Sequence, residues 1–394
     1  MPTDEPLPGV EIEDVPSGVR PIAGVSTSTA LFIGQLQAGP LQKPVFCQTA
    51  QDFEDEFADG AKNSELARAI RFFFANGGTG CYVFRIGRNT GGTEADGSQT
   101  PQLSDYLDAF ELVDREVELF NLLILPQDAT QNTATQTSLW GPASEFCRKR
   151  RALLLLDPLP EWTSVEKILD PAQGLPAVRA GLAREHCVLH YPRVRVAENG
   201  GEVALGASGV LAGLLGRMDS SRGVWKAPAG TEADLRGLAG LALEVSEEEH
   251  TRLNAMGVNA LRTVGGKLVS WGARTLAGDD QYGGEYKYLS VKRTALFLEE
   301  SLRRGLQWTV FEPNDEPLWA RIRASVQAFM HTLFQQGAFQ GSAPGHAYFV
   351  RCDTTTTTAA DRAQGRVNLQ VGFAPLKPAE FVIISMPLRA ALGQ

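Results

Sequence analysis

The chain is poor in the residues that build reactive centres. Of its 394 residues only five are cysteines and five are histidines. The cysteines (47, 81, 147, 187 and 352) are far apart and odd in number, and no C-x-x-C spacing occurs. That pattern gives no support to a zinc ribbon or a dithiol motif, and it predicts free, buried thiols. Positive charge is also short: 37 Lys and Arg face 46 Asp and Glu, a formal net charge of −9. Phosphate recognition needs concentrated positive charge, so the balance argues against a nucleic-acid partner. The one basic run, Arg148-Lys149-Arg150-Arg151, directly precedes a strand pattern and reads as a solvated helix end. Long apolar runs are missing as well. Leu122–Leu125 and Ala152–Leu156 have the length of buried strands, so no direct membrane insertion is expected. The opening Met1-Pro2-Thr3-Asp4-Glu5 is acidic and proline-rich, the opposite of a secretory leader, which predicts folding in the cytoplasm.

Motifs for chemistry are equally sparse. The segment Gly34 to Gly39 follows a strand, but Pro40-Leu41 stands where a phosphate loop needs Lys and Ser or Thr. Gly77-Gly78-Thr79-Gly80 runs from helix to strand, whereas an anion site needs strand to helix. Gly206-Ala207-Ser208-Gly209 only grazes the nucleophile-elbow pattern. His186, Cys187 and His190 form the best constellation for metal or nucleophilic work. On a strand, however, His186 and His190 share one face while Cys187 points away, and ordinary strand residues are the expectation. Asp279-Asp280 reads as an exposed loop pair. No catalytic residue, metal ligand, cofactor-binding residue or cofactor is assigned.

The length suits roughly two or three domains. Strand patterns at Ala30–Ile33, Cys81–Ile86, Leu122–Leu125, Leu153–Leu156 and Cys187–Tyr191 alternate with helical ones. The helices are expected at Ser64–Ala75, Leu103–Phe110, Ser138–Arg151, Ala177–Arg184 and Val210–Met218. This alternation predicts a parallel or mixed sheet covered by helices. Ser246 and Glu249 have capping-box spacing ahead of a short helix ending at Gly257. A strand pair follows, Val258–Val264 and Lys267–Trp271, turning at Gly265-Gly266. A second domain begins near 275, with a helix Tyr288–Arg304, a strand Trp308–Phe311 and a helix capped by Asn314 or Asp315. Leu318, Ile322, Phe329 and Leu333 mark the buried face of that helix, before strands at Tyr348–Val350 and Val367–Phe373. The overall class is α+β. An α/β domain carries a mixed sheet, and a smaller α+β assembly domain and extended terminal arms complete it. The divisions fall at 1–20, 21–274, 275–378 and 379–394.

Both ends read as strands without a local partner. Val10-Glu11-Ile12-Glu13 alternates apolar and acidic residues between Gly9 and Pro16. Phe381-Val382-Ile383-Ile384 is a continuous apolar run between Pro378 and Pro387. Backbone of this kind must pair, and a neighbouring copy of the chain is the expected partner. Gly18 and Pro21 bound the front hinge.

Several strings, in order, resemble the sheath proteins of contractile phage tails and related bacterial injection devices. They are Pro8-Gly9-Val10, Ile22-Ala23-Gly24-Val25-Ser26-Thr27-Ser28-Thr29-Ala30, Trp271-Gly272-Ala273-Arg274-Thr275-Leu276, Phe311-Glu312-Pro313-Asn314-Asp315-Glu316-Pro317-Leu318-Trp319 and Lys377-Pro378-Ala379-Glu380-Phe381. The likeness thins between about 90 and 240. It implies a structural subunit, not an enzyme, that stacks as hexamers or a helix around an inner tube protein. Terminal arms are exchanged between subunits, and contraction drives the tube through a target envelope. Baseplate and cap proteins, and sibling sheath chains in some devices, are the further partners implied. Synthesis in the bacterial cytoplasm and incorporation into a tail or injection particle follow, with release from the cell as an option. The resemblance also implies a tube-facing helix, to which we assign Ala320, Arg321, Ala324, Ala328 and His331. Two rivals are kept. One is an α/β hydrolase using His186, His190 or Asp157, and the other a non-contractile filament protein.

Overall fold

The structure is a computed structural model. It describes residues 19–57, 64–87, 100–128, 131–280 and 284–376, and the backbone of 382–389. The expected arms at Val10, Glu11, Ile12, Glu13 and Phe381 lie outside the described residues.

Strands β1 (Ala30–Gly34), β2 (Pro44–Cys47), β3 (Cys81–Arg85), β4 (Leu122–Ile124), β5 (Leu153–Leu156) and β6 (Cys187–Tyr191) open the chain. A three-stranded sheet follows from β7 (Val194–Glu198), β8 (Gly201–Leu205) and β9 (Gly240–Leu241), ordered β8-β7-β9. With β10 (Asn259–Val264) and β11 (Lys267–Ser270), the first six form an eight-stranded sheet ordered β11-β10-β6-β5-β4-β1-β3-β2. Its interior pairs are parallel, while β2 and β11 close the edges antiparallel. The chain moves outward from β1 to β3, returns to β4 on the other side of β1 and winds outward again. This is a doubly wound sheet.

The central strands are apolar throughout because both faces are covered. Alternate residues serve two cores. Phe32, Ile124, Leu155 and Val188 face one layer, with Ile70 and Phe73 of the helix Glu65–Ala75. Leu31, Leu123, Leu154 and Leu189 face the other, with Phe110 and Trp140 of the helices Leu103–Glu116 and Thr133–Arg150. The helix Ser208–Arg222 is buried nearly all round over its first three turns. Glycine lets it approach the Glu65–Ala75 helix backbone to backbone. A Cβ at Gly209 would sit 2.3 Å from the Ala69 carbonyl oxygen, and one at Gly213 2.2 Å from that of Phe73. We expect Gly213→Ala to cost about 1–3 kcal/mol through overpacking, despite the better helix propensity of alanine. A urea-unfolding midpoint at or above that of the parent would show that the two helices can part without loss.

The expected capping box forms: Ser246 Oγ accepts from Glu249 N at 3.3 Å, and Glu249 Oε2 accepts from Ser246 N at 2.8 Å. The β10–β11 turn has Gly265 and Gly266 at φ 57° and 77°, the left-handed pair a two-residue hairpin requires. All five cysteines are free and buried. Burial pushes the Cys47, Cys187 and Cys352 thiols up to about 12, so little reactive thiolate exists at neutral pH.

Several expectations change. Trp308–Phe311 is not a strand; Gln307–Thr309 forms a 3-10 turn and Phe311 has φ 75°. The apolar run is there, but the chain turns back before a partner can pair with it. The helix expected at Ala177–Arg184 covers only Leu175–Arg179, and a 3-10 turn, Arg184–His186, follows. Asp279 is buried rather than exposed and ion-pairs with Arg179, while Asp280 is exposed between Arg274 and Lys287.

The chain divides into two compact units. One spans Gly24–Glu300. The other holds Ser301–Ala374, Val19–Ala23 and most of the last strand. Strands β12 (Tyr348–Arg351), β13 (Arg366–Phe373) and β14 (Val382–Arg389) form a sheet in that order, with β12 antiparallel to β13. The helix Glu316–Gln335 belongs to the same unit and buries Leu318, Ile322, Phe329 and Leu333 as expected, together with Trp319, Val326 and Met330.

Candidate assembly interface

The groups best suited to chemistry are each taken up separately. His186 lies in the 3-10 turn before β6, not on it, so the shared face with His190 does not arise. Its Nδ1 donates to the Ala152 carbonyl at 2.8 Å, and its Nε2 lies 3.5 Å from Glu185 Oε1. That contact, with Lys292 adding, holds the Glu185 carboxyl down to about 2. His190 shares a hydrogen bond with Ser270 Oγ at 3.2 Å, and burial lowers it to about 3, so it is neutral. Asp157 accepts from Ser208 N at 2.8 Å and Ser208 Oγ at 2.7 Å. It thus caps the first turn of the Ser208–Arg222 helix, a carboxylate at a positive helix end. Burial pushes its carboxyl above the usual range, against those two bonds. Gly206 makes the approach possible, because a Cβ there would lie 1.9 Å from Asp157 Cγ. No nucleophile–base pair results from these side chains. A cavity of about 490 Å³, lined among others by Leu159, Trp162, Glu166 and Lys167, contains none of them. The loop after β1 carries no anion site either: the Leu36, Gln37 and Gly39 carbonyls converge on the Arg85 guanidinium at 2.6–3.0 Å. Carbonyls aimed inward repel a phosphate. Among the described residues no group of three or more His, Cys, Asp or Glu is placed to hold a metal, and no helix is long and apolar enough to cross a membrane.

The C-terminal unit carries the helix that the sequence assigned to a tube-facing role. The chain enters it along Val19–Ile22. Arg20 N donates to Ser325 Oγ at 3.0 Å, and its guanidinium carbon lies 4.7 Å from the centroid of Trp308. Arg321 sits against the same indole at 5.3 Å and pairs with Glu312 at 2.7 Å. Such cation–π contacts favour a fixed geometry. Gly305 makes room for Ile22, since a Cβ there would lie 2.6 Å from Ile22 Cγ2. Pro21 lies between these two held residues. Sequence reasoning missed this clasp, because its parts lie far apart in the chain.

Of the residues assigned to a tube-facing helix, Ala320, Ala328 and His331 are exposed, and Ala324 and Arg321 are half-buried. They lie on the Glu316–Gln335 helix, whose capping residue is Asp315, accepting from Leu318 N at 3.1 Å. Asn314 instead ties Trp319 Nε1 to the Arg366 carbonyl, each at 2.9 Å. His331 lies 3.4 Å from the Tyr348 hydroxyl and 3.1 Å from Gln335. Val382, Ile383 and Ile384 begin β14, whose neighbour in the sheet is β13 of the same chain.

Comparison with known proteins gives this surface its context. Residues 96–276 match the phage tail sheath protein central domain, and residues 283–389 the phage tail sheath C-terminal domain. A chain of the anti-feeding prophage baseplate is 28% identical, with 96% of this chain and 98% of that one covered at a TM-score of 0.72. The anti-feeding prophage helical sheath in its contracted state is 29% identical with the same coverage and TM-score. The contracted sheath of an extracellular contractile injection system, PVC, shares the fold at 23% identity, covering 97% and 98% with a TM-score of 0.74. No curated protein matches the chain significantly in sequence. The described strands and helices, the separate C-terminal unit and these matches converge: the chain belongs to the contractile tail sheath family and is a subunit of an oligomeric sheath in an assembled particle.

Proposed function

We propose that this subunit polymerises around an inner tube as stacked hexamers linked by strand exchange, and that contraction of the lattice drives the tube through a target envelope. The observation that carries the reading is the small C-terminal sheet. Its outer strand β14 comes last in the chain and lies beside β13, a slot that an equivalent strand from a neighbour can fill with the same main-chain bonds. Val10 to Glu13 supply the second donor strand. A pairing that survives while subunits rotate keeps the lattice whole through a large rigid-body change. The exposed stripe of Ala320 and Ala328, with Ala324 beside it, is the tube-facing surface; small side chains there allow close approach. Arg321 contributes less than the sequence suggests, because Glu312 already holds it. Assembly stores the energy, so no nucleotide is required. A baseplate and a cap are the remaining partners.

Electron microscopy of the purified chain tests this. Long hollow cylinders are expected, and monodisperse small particles at high concentration would count against the proposal. Helical parameters measured with and without a tube then separate contraction from passive polymerisation, since a lattice that never switches keeps one set.

A further inference from the structure

We infer that Phe311 is a docking residue whose ring is seated on a second copy of this chain in the assembled sheath. Phe311 is 83% exposed, the most of any large apolar residue described, and Val310 beside it is 42% exposed. Its backbone φ is 75°, a region that aromatic residues rarely occupy and that glycine adopts freely. Strained backbone bearing an exposed aromatic ring is a pattern of recognition sites.

The loop around it is braced rather than loose. Thr309 N donates to the Leu306 carbonyl at 3.0 Å, and Glu312 N to the Thr309 carbonyl at 3.2 Å. Glu312 is paired to Arg321, and Asn314 bonds the Arg366 carbonyl at the start of β13. The backbone that carries the ring is therefore held at both sides, which reduces the ordering cost of binding.

Position selects the occupant. Trp308, three residues earlier, carries Arg20, and the chain preceding Val19 lies outside the structure. The same loop is tied to β13, beside the slot proposed to take a neighbour's strand. Phe311 thus lies in the chain between Trp308, which holds the front segment, and Asn314, which is tied to the start of β13. On the assembly reading above, we take the surface that meets this position to be that of another subunit.

The inference rests on the assembly reading above, and one experiment separates the two. Phe311→Gly and Phe311→Ala are compared with the parent for thermal midpoint and for the lowest concentration that gives polymers by electron microscopy. Benzoylphenylalanine is placed at 311 for photo-crosslinking in full-length polymers. Phe311→Gly is expected to melt at or above the parent temperature while raising the polymerisation threshold at least tenfold. The photoprobe is expected to give covalent chain–chain dimers. An unchanged threshold, a crosslink only within one chain or a crosslink only to the tube protein would overturn the inference while leaving sheath assembly intact. A parent chain that forms no polymers at all removes both.

Discussion

Replacing Asp219 with alanine is expected to destabilise the large unit by about 3–5 kcal/mol. Arg293 donates to both Asp219 oxygens, at 2.8 and 2.5 Å, and to the Thr27 carbonyl at 2.9 Å. Thr27 Oγ1 adds a bond to the same carboxylate at 2.5 Å. The side chains are only 3% and 7% exposed, so removing the carboxylate strands a buried guanidinium. The loss reaches beyond one pair because three segments meet here. They are the irregular segment leading into β1, the helix Ser208–Arg222 and the helix Leu289–Gly305. Urea unfolding followed by far-UV circular dichroism gives the number. The double variant Asp219→Leu/Arg293→Met should recover much of it, since two apolar groups leave no unpaired charge. A single variant within about 1 kcal/mol of the parent would mean that solvent or a rearranged partner satisfies Arg293.

Deleting residues 1–16 is expected to abolish long polymers and leave a folded subunit with an unchanged thermal midpoint. The cut spares Arg20 and Ile22, so the contacts to Ser325, Trp308 and Gly305 persist. What goes is the segment Val10–Glu13, whose alternating pattern reads in the sequence as a strand with no partner close by. Each inter-subunit contact in a linear lattice is repeated along its length, so loss of one linkage is an all-or-none effect on length. Electron microscopy and sedimentation together decide it. Full-length cylinders from the truncated chain would remove the front arm from the mechanism, and a lowered midpoint would assign it a folding role instead.

The sheet core was legible because its central strands are short, dominated by apolar residues and separated by helical stripes. Leu153-Leu154-Leu155-Leu156 admits little else, and its observed bounds coincide with the reading. The capping box at Ser246 was legible for the same reason, being a local bond between neighbours in sequence. The hairpin β7–β8 was missed although its turn, Asn199-Gly200 with φ 50° and 79°, is a strong local signal; its strands are short, carry Arg195, Glu198 and Glu202, and have no apolar run longer than three residues. Asp279 was misplaced because its partner, Arg179, is distant in the chain, and an acidic doublet alone reads as surface. Trp308-Thr309-Val310-Phe311 misled for the opposite reason. Its hydrophobicity imitates a strand, yet Trp308 carries two arginines and Phe311 faces water. For Asp279 and for Trp308–Phe311 the missing information was a tertiary partner, which local pattern does not encode. On the Glu316–Gln335 helix the alanine stripe was visible in spacing, but the engagement of Arg321 by Glu312 was not.

The clasp of Arg20 on Trp308 has a mechanical corollary. Tension arriving along the front segment enters a stack of two cations on one ring, with an amide hooked on Ser325. Such a joint resists by sliding rather than by peeling, and the chain on its far side is shielded from the pull. If the front segment is exchanged as proposed, load on it enters the small unit at Trp308 and Ser325 before it reaches Ala23 in chain order.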